Sequence, residues 1–356
     1  MDSLEIVLDR RDGYEPGQQV SGKVILNNCT EIKASHLTIC IHGGAFTHWS
    51  EHRYSETVYF SSTVDYVKEE FLAWSASEEN KKFPIGHHVF PFIFQLPTGI
   101  PPSYEGAHGR VRYSVRVELD RPWKFSKTQQ VYFQVISNVD LNTLAYGNNP
   151  VAKREAKDIG SVFKKGIVTT TITIPKQAYA PGESLPIIIN IDNLSTRPVY
   201  CIRAELLQHT HYHATKNSIF SSSKEYHKNE TKMVAESRKT IKIAAKSVGN
   251  EELSIKIPKL IPNFGCPIIM VEYCLSVKVD TETSMNNTLH SEFPIFIGTV
   301  QINNSMTFSG TINEKTDLML LPPPYSCSTP SAPTDDSPSP SAPPPTYEES
   351  FSTIKN

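Results

Sequence analysis

The chain has few cysteines, no long apolar run and no charge bias. Its six cysteines (Cys29, Cys40, Cys201, Cys266, Cys274 and Cys327) are scattered, and none falls in a C-x-x-C pair. That argues against a disulfide framework or a cysteine zinc site and suits a reducing compartment. No stretch reaches the ~20 apolar residues that a membrane-spanning helix needs. The opening Met1-Asp2-Ser3-Leu4-Glu5 has neither a basic head nor an apolar run, so a secretory leader is not expected. Lys and Arg total 35 against 37 Asp and Glu, and without a basic excess nucleic acid is not an expected partner. Gly-x-Ser-x-Gly, P-loop and dinucleotide fingerprints are missing, which leaves an enzymatic reading without a motif. No cofactor and no metal are expected.

Proline is plentiful, and it clusters at the C-terminal end. From Leu321 to Asn356 two Pro-Pro-x-Tyr tetrapeptides occur: Pro322-Pro323-Pro324-Tyr325 and Pro344-Pro345-Thr346-Tyr347. A segment this rich in Pro, Ser and Ala has too little apolar surface to offset chain entropy, so a disordered tail is expected. Its prolines favour the polyproline II helix, which is extended before it binds and loses little entropy on docking into an aromatic groove. WW domains read this motif, with Pro322, Pro323 and Tyr325, and again Pro344, Pro345 and Tyr347, as the binding residues. The tail also spells P-S-A-P twice, at Pro330-Ser331-Ala332-Pro333 and Pro340-Ser341-Ala342-Pro343. This resembles the peptide read by the ubiquitin E2-variant domain of an ESCRT-I subunit. Composition alone is the competing explanation.

The body, from Leu4 to about Thr299, alternates with a period of two. Val111, Tyr113, Val115 and Val117 interleave with Arg112, Ser114, Arg116 and Glu118. One face then meets a core and the other meets water. Similar runs recur at Ile39–Ile41, Thr57–Phe60, Val131–Val135, Ile172–Ile174, Ile187–Ile191, Ile241–Ile243 and Val271–Val279. Many short strands divided by Pro and Gly predict β-sandwiches. The body also repeats. Tyr14-Glu15-Pro16-Gly17-Gln18 matches Tyr179-Ala180-Pro181-Gly182-Glu183, each a tight turn with Pro setting φ and Gly accepting positive φ. Phe94-Gln95-Leu96-Pro97 matches Ile255-Lys256-Ile257-Pro258, and each precedes its alternating strand. Two sandwiches in tandem account for both pairs. The predicted domains are 1–150 and 166–300, followed by the tail, 301–356. The stretch between the domains carries Lys153, Arg154, Lys157, Lys164 and Lys165. It is read as a solvated basic linker, with contact to anionic lipid as the alternative.

Tyr104-Glu105-Gly106-Ala107-His108-Gly109-Arg110-Val111-Arg112-Tyr113, running on to Asp120-Arg121-Pro122-Trp123, resembles the N-lobe signature of the arrestin domain-containing proteins, or α-arrestins. Tyr179–Ser184 and Pro294–Thr299 resemble the opening and closing of their C-lobe. The resemblance implies two tandem arrestin-like β-sandwich domains and an adaptor role. The lobes would engage a transmembrane cargo or receptor, and the tail would recruit a HECT-type ubiquitin ligase through its WW domains, for endocytosis and endosomal transport. The expected location is the cytoplasm, with recruitment to plasma membrane and endosomes. The cysteine-rich stretch that many relatives carry after the linker is missing from Asp158–Gly166. Two alternatives are a signalling arrestin that binds activated receptors without the tail, and a sorting-coat subunit like the arrestin-like subunit of retromer.

Three weaker signals remain. His209, His211 and His213 would share one strand face, where a metal cluster or a plain polar face fits equally, but no carboxylate lies near in sequence. Arg10 and Arg11 read as surface charge, or as contacts to phosphates on a receptor tail. Leu318-Met319-Leu320-Leu321 is similar to a clathrin box, but Pro322 stands where an acid belongs.

Overall fold

The computed structural model describes residues 3–53, 56–77, 82–144, 147–161, 164–216, 224–281 and 288–300. Both Pro-Pro-x-Tyr motifs, both P-S-A-P motifs and Leu318–Leu321 lie outside these residues. The N-lobe holds β1 (Ser3–Leu8), β2 (Gln19–Asn28), β3 (Ile32–Lys33), β4 (His36–Arg53), β5 (Glu56–Ser75), β6 (Lys82–Phe83), β7 (Gly86–Gln95), β8 (Tyr104–Glu105), β9 (Gly109–Asp120) and β10 (Lys127–Phe133). The C-lobe holds β11 (Val151–Ser161), β12 (Lys164–Ile174), β13 (Ala178–Tyr179), β14 (Ser184–Asn193), β15 (Val199–Lys216), β16 (Glu225–Ile243), β17 (Ser247–Lys256), β18 (Phe264–Cys266), β19 (Ile269–Thr281) and β20 (Thr288–Ile297). No helix of the described residues is long and apolar enough to cross a membrane.

The period-two pattern becomes two-faced strands. In β14, Leu185, Ile187, Ile189 and Ile191 are fully buried, and the residues between them face water. In β9, Val111, Tyr113, Val115, Val117 and Leu119 are fully buried. In the N-lobe the sheet β1-β2-β7 accompanies the run β10-β9-β4-β5; in the C-lobe the sheet β11-β12-β14-β17 accompanies the run β15-β19-β20-β13. This is the sandwich arrangement that alternating apolar faces demand. Two hairpins, β4–β5 and β15–β16, are much longer than the short strands expected, at 18 to 20 residues a strand. Pro and Gly punctuation cannot mark a turn inside them, and a bulge at Gly43/Gly44 bends β4 without ending it.

The repeat read from sequence holds at the level of single hydrogen bonds. Gly17 and Gly182 have φ of 83° and 90°, the left-handed region that glycine enters without cost. Gln18 N–H donates to Glu15 C=O and Glu183 N–H to Ala180 C=O, at 3.0 and 3.1 Å. The next strands close on these turns alike: Leu96 N–H donates to Gln18 C=O, and Ile257 N–H to Glu183 C=O. Further on, the buried Tyr113 hydroxyl donates to Pro101 C=O at 2.7 Å, and the Tyr273 hydroxyl to Ile261 C=O at 2.8 Å.

The basic stretch is not a solvated linker. Val151–Ser161 is a regular strand, paired antiparallel along its length with β12. Lys157 Nζ donates to Thr288 C=O at 3.1 Å, and Lys153 Nζ lies 5.5 Å from the Phe293 ring centre. β11 is a sheet edge, and lysines on an edge strand block pairing with other chains. Charge that protects an edge has the composition of a linker, which is why the sequence pattern misled. The true crossover is shorter. Leu141–Thr143 forms one 3₁₀ turn, capped by Asp140, and Leu141 packs with Ala178 and Ala180 of the C-lobe.

Candidate functional site at the lobe junction

β15 pairs with β19 only as far as Tyr212, which frees one edge of its last residues. β5 of the N-lobe takes that edge, with Thr215 opposite Ser61 and Lys216 opposite Phe60. The backbone sheet therefore runs from one lobe into the other. Thr47 Oγ1 donates to His213 C=O at 2.7 Å beside this point. A Lys228–Glu51 pair at 3.8 Å also spans the lobes, but it is long and partly exposed, so it contributes little.

Beneath the backbone pairing lies an aromatic seam. Phe60 meets Tyr226 of β16 with ring centres 4.6 Å apart, and Trp49 stacks on Phe60 at 5.6 Å. His108 touches both Trp49 and Tyr212 edge-on. Tyr104 of β8 meets Phe264 of β18 at 5.5 Å. β8 and β18 are matching elements: Tyr104 pairs with Val111 as Phe264 pairs with Val271. The two lobes thus touch through equivalent residues.

A polar chain threads the same seam. The Tyr212 hydroxyl donates to Glu230 Oε2 at 2.7 Å, and the Ala107 N–H donates to the same oxygen at 3.2 Å. The Tyr104 hydroxyl lies 3.0 Å from Thr210 Oγ1 and 3.4 Å from the Tyr212 hydroxyl. Burial, then the hydrogen bonds with Tyr104 and Glu230, push the Tyr212 hydroxyl far above the ordinary tyrosine range. It stays a neutral donor, as a buried group satisfied by hydrogen bonds should. The signature segment Tyr104–Gly109 supplies much of this seam, and its glycines are there for space. A Cβ on Gly106 would fall on the Tyr212 and Tyr104 hydroxyls, and one on Gly109 would press on Ile269, Thr47 and Tyr212. A groove of about 1030 Å³ opens between the lobes, lined by Pro102, Val135, Ile136, Pro181, Ile257 and Leu260 among others.

The three histidines do not converge. His209 Nδ1 lies 3.0 Å from Thr231 Oγ1 and His211 Nδ1 lies 2.9 Å from Asn229 Oδ1, each partnered on β16, directly opposite. His213 faces His227, with ring centres 4.5 Å apart. Arg10 is engaged within its own turn by Asp12 and Gln18. Sequence reasoning missed Trp49, Tyr212, Tyr226 and Glu230 as junction residues. The available signal was Tyr212, the one residue of the His209–His213 run with a large apolar ring on the opposite face.

Residues 4–142 match the family described as "Arrestin (or S-antigen), N-terminal domain", and residues 164–302 match "Arrestin (or S-antigen), C-terminal domain". The chain is similar to arrestin domain-containing protein 17 of Caenorhabditis elegans, 28% identical over 313 residues that cover 84% of this chain and 71% of that protein. It is similar to human arrestin domain-containing protein 4, 29% identical over 325 residues, covering 85% and 72%. It is also similar to mouse thioredoxin-interacting protein, 26% identical over 319 residues, covering 86% and 76%.

Proposed function

The chain belongs to the arrestin domain-containing proteins, and on that premise we propose that it is an adaptor between membrane cargo and a HECT-type ubiquitin ligase. The observation that carries this reading is the pair of Pro-Pro-x-Tyr motifs following a two-lobed arrestin body. The lobes engage the cytoplasmic part of a transmembrane protein, and the tail holds the ligase beside it. Cargo is then ubiquitinated, internalised and sorted through endosomes. The protein works in the cytoplasm and is recruited to plasma membrane and endosomes. It acts by raising local concentration, so no reacting group of its own is required.

Each motif buries little area and binds weakly alone. Two motifs on one chain can engage tandem WW domains, and linkage raises avidity by ~10²-fold or more. A tandem WW fragment should therefore lose about that factor with Tyr325→Ala or Tyr347→Ala, and all measurable affinity with both. Unchanged affinity in the double variant would refute the reading. Phosphorylation of either tyrosine should also block docking, because a dianion entering an aromatic slot sheds its water without compensation. The P-S-A-P motifs support a second recruitment, of ESCRT-I. Pro343 directly precedes the second Pro-Pro-x-Tyr, so ligase and ESCRT-I would exclude one another there.

A further inference from the structure

The outward face of the β15–β16 hairpin carries a group that the adaptor reading does not use. His213 and His227 are register partners, and Glu225 stands two residues along β16 on the same face. One ligand atom from each lies within 4.8 Å of the others. The sequence could not show this, since the carboxylate and second imidazole come from the neighbouring strand. We propose that His213, His227 and Glu225 bind a divalent ion of the zinc class, which clasps β15 to β16 where the C-lobe meets the N-lobe.

The donor set fits that ion. Two imidazoles and one carboxylate are ligands that Zn²⁺ takes at about 2.0–2.2 Å, in a three-protein-ligand site completed by water. Such spacing puts ligand atoms about 3.4 Å apart, within reach of small rotamer changes from the present arrangement. Mg²⁺ and Ca²⁺ prefer all-oxygen shells and should be poor competitors. The neighbours are settled elsewhere: His209 on Thr231, and His211 between Asn229 and Glu272, whose carboxylate is 3.8 Å away. The place matters for the fold. His213 C=O accepts the Thr47 hydroxyl, and Thr215 N–H donates to Ser62 Oγ at 3.2 Å, so the clasped end of the hairpin is the end that holds the N-lobe.

The test uses the full chain with Cys29→Ser and Cys327→Ser, to remove competing thiols, titrated with Zn²⁺ alone by calorimetry and with Co²⁺ by visible absorption. The expected result is one saturable ion per chain and a rise in melting temperature on loading. His227→Gln and Glu225→Gln, both exposed positions, should weaken binding at least ~10-fold, since even an outer partner of a metal ligand is worth that much. His87→Gln, a histidine on the N-lobe surface, should change nothing. Equal affinity in the His227 and Glu225 variants, or no saturable binding by the parent chain, overturns the proposal and leaves His213 and His227 as a packed ring pair.

Discussion

At the opening turn of the N-lobe, Arg10 lies 5.5 Å from the Tyr14 ring centre and donates to Gln18 Oε1 at 3.0 Å. At the matching turn of the C-lobe, Lys176 lies 4.8 Å from the Tyr179 ring centre and donates to Glu183 Oε1 at 3.0 Å. Turn, buried tyrosine and overlying cation are the same in both lobes. The clamp differs. Arg10 is half exposed and is shared between the neutral Gln18 and the exposed Asp12, whereas Lys176 and Glu183 are only 15% and 17% exposed and form an ion pair. The backbone geometry is fixed by Pro, Gly and the buried ring, and the polar contact follows the local burial. Both cations have a carboxylate partner, but water screens the Arg10–Asp12 pair, whereas the Lys176–Glu183 pair is largely shielded from it. The lobes diverge again where they meet. Gly106 of the N-lobe is pressed against Tyr212, while Gly265, beside the matching β18 position, borders open space where an added Cβ would meet nothing within 4 Å.

That contrast can be broken most forcefully at the junction. Gly106→Ala should cost about 1–3 kcal/mol, the usual penalty of overpacking, and lower the melting temperature by several degrees. Gly265→Ala should stay within about 0.5 kcal/mol. Equal effects in thermal denaturation would mean that the lobes do not meet as described. Next in size is the half-buried ion pair: Glu183→Gln should cost about 1–2 kcal/mol, and Gln18→Ala under about 1 kcal/mol, because solvent screens the Arg10 side. Denaturant midpoints of the two variants would show the difference. Tyr113→Phe and Tyr273→Phe sharpen the likeness instead. Each takes the hydroxyl from one carbonyl, buried at Pro101 and partly buried at Ile261, so each should cost about 1 kcal/mol, and a large inequality would break the repeat.

The smallest effect is at alkaline pH. Burial raises the Tyr212 hydroxyl in the folded state, while the unfolded tyrosine ionises near pH ~10. Above that pH the unfolded state holds fewer protons, so stability present below it falls as pH rises. Tyr113, Tyr179 and Tyr273 are raised by burial in the same way and add to the slope. Tyr212→Phe should flatten the fall of stability above pH ~10 without abolishing it, as unfolding free energies across that range would reveal.

Much of the scaffold was legible because its signals are local. Alternation along Val111–Val117, and Pro-Gly turns at Gly17 and Gly182, need only neighbouring residues to be read. β11 was misread because an edge strand is solvated on its charged side and buries little beyond Ile159. The junction was illegible for a different reason. Trp49, Phe60, Tyr212 and Tyr226 come from two hairpins far apart in sequence, and nothing local says which strand end will lack a partner. The same holds for His213 and His227, which only the β15–β16 register brings together. The proposed tail motifs are read from consecutive residues alone, since a linear peptide carries its recognition in its own sequence.

The central claim, that the chain joins cargo to a ligase through its tail, is tested most directly by a pull-down from cell lysate. The intact protein is compared with Tyr325→Ala plus Tyr347→Ala. The account predicts a WW-containing HECT ligase with the intact protein and none with the double variant. Equal ligase recovery from both, or none from either, would contradict it.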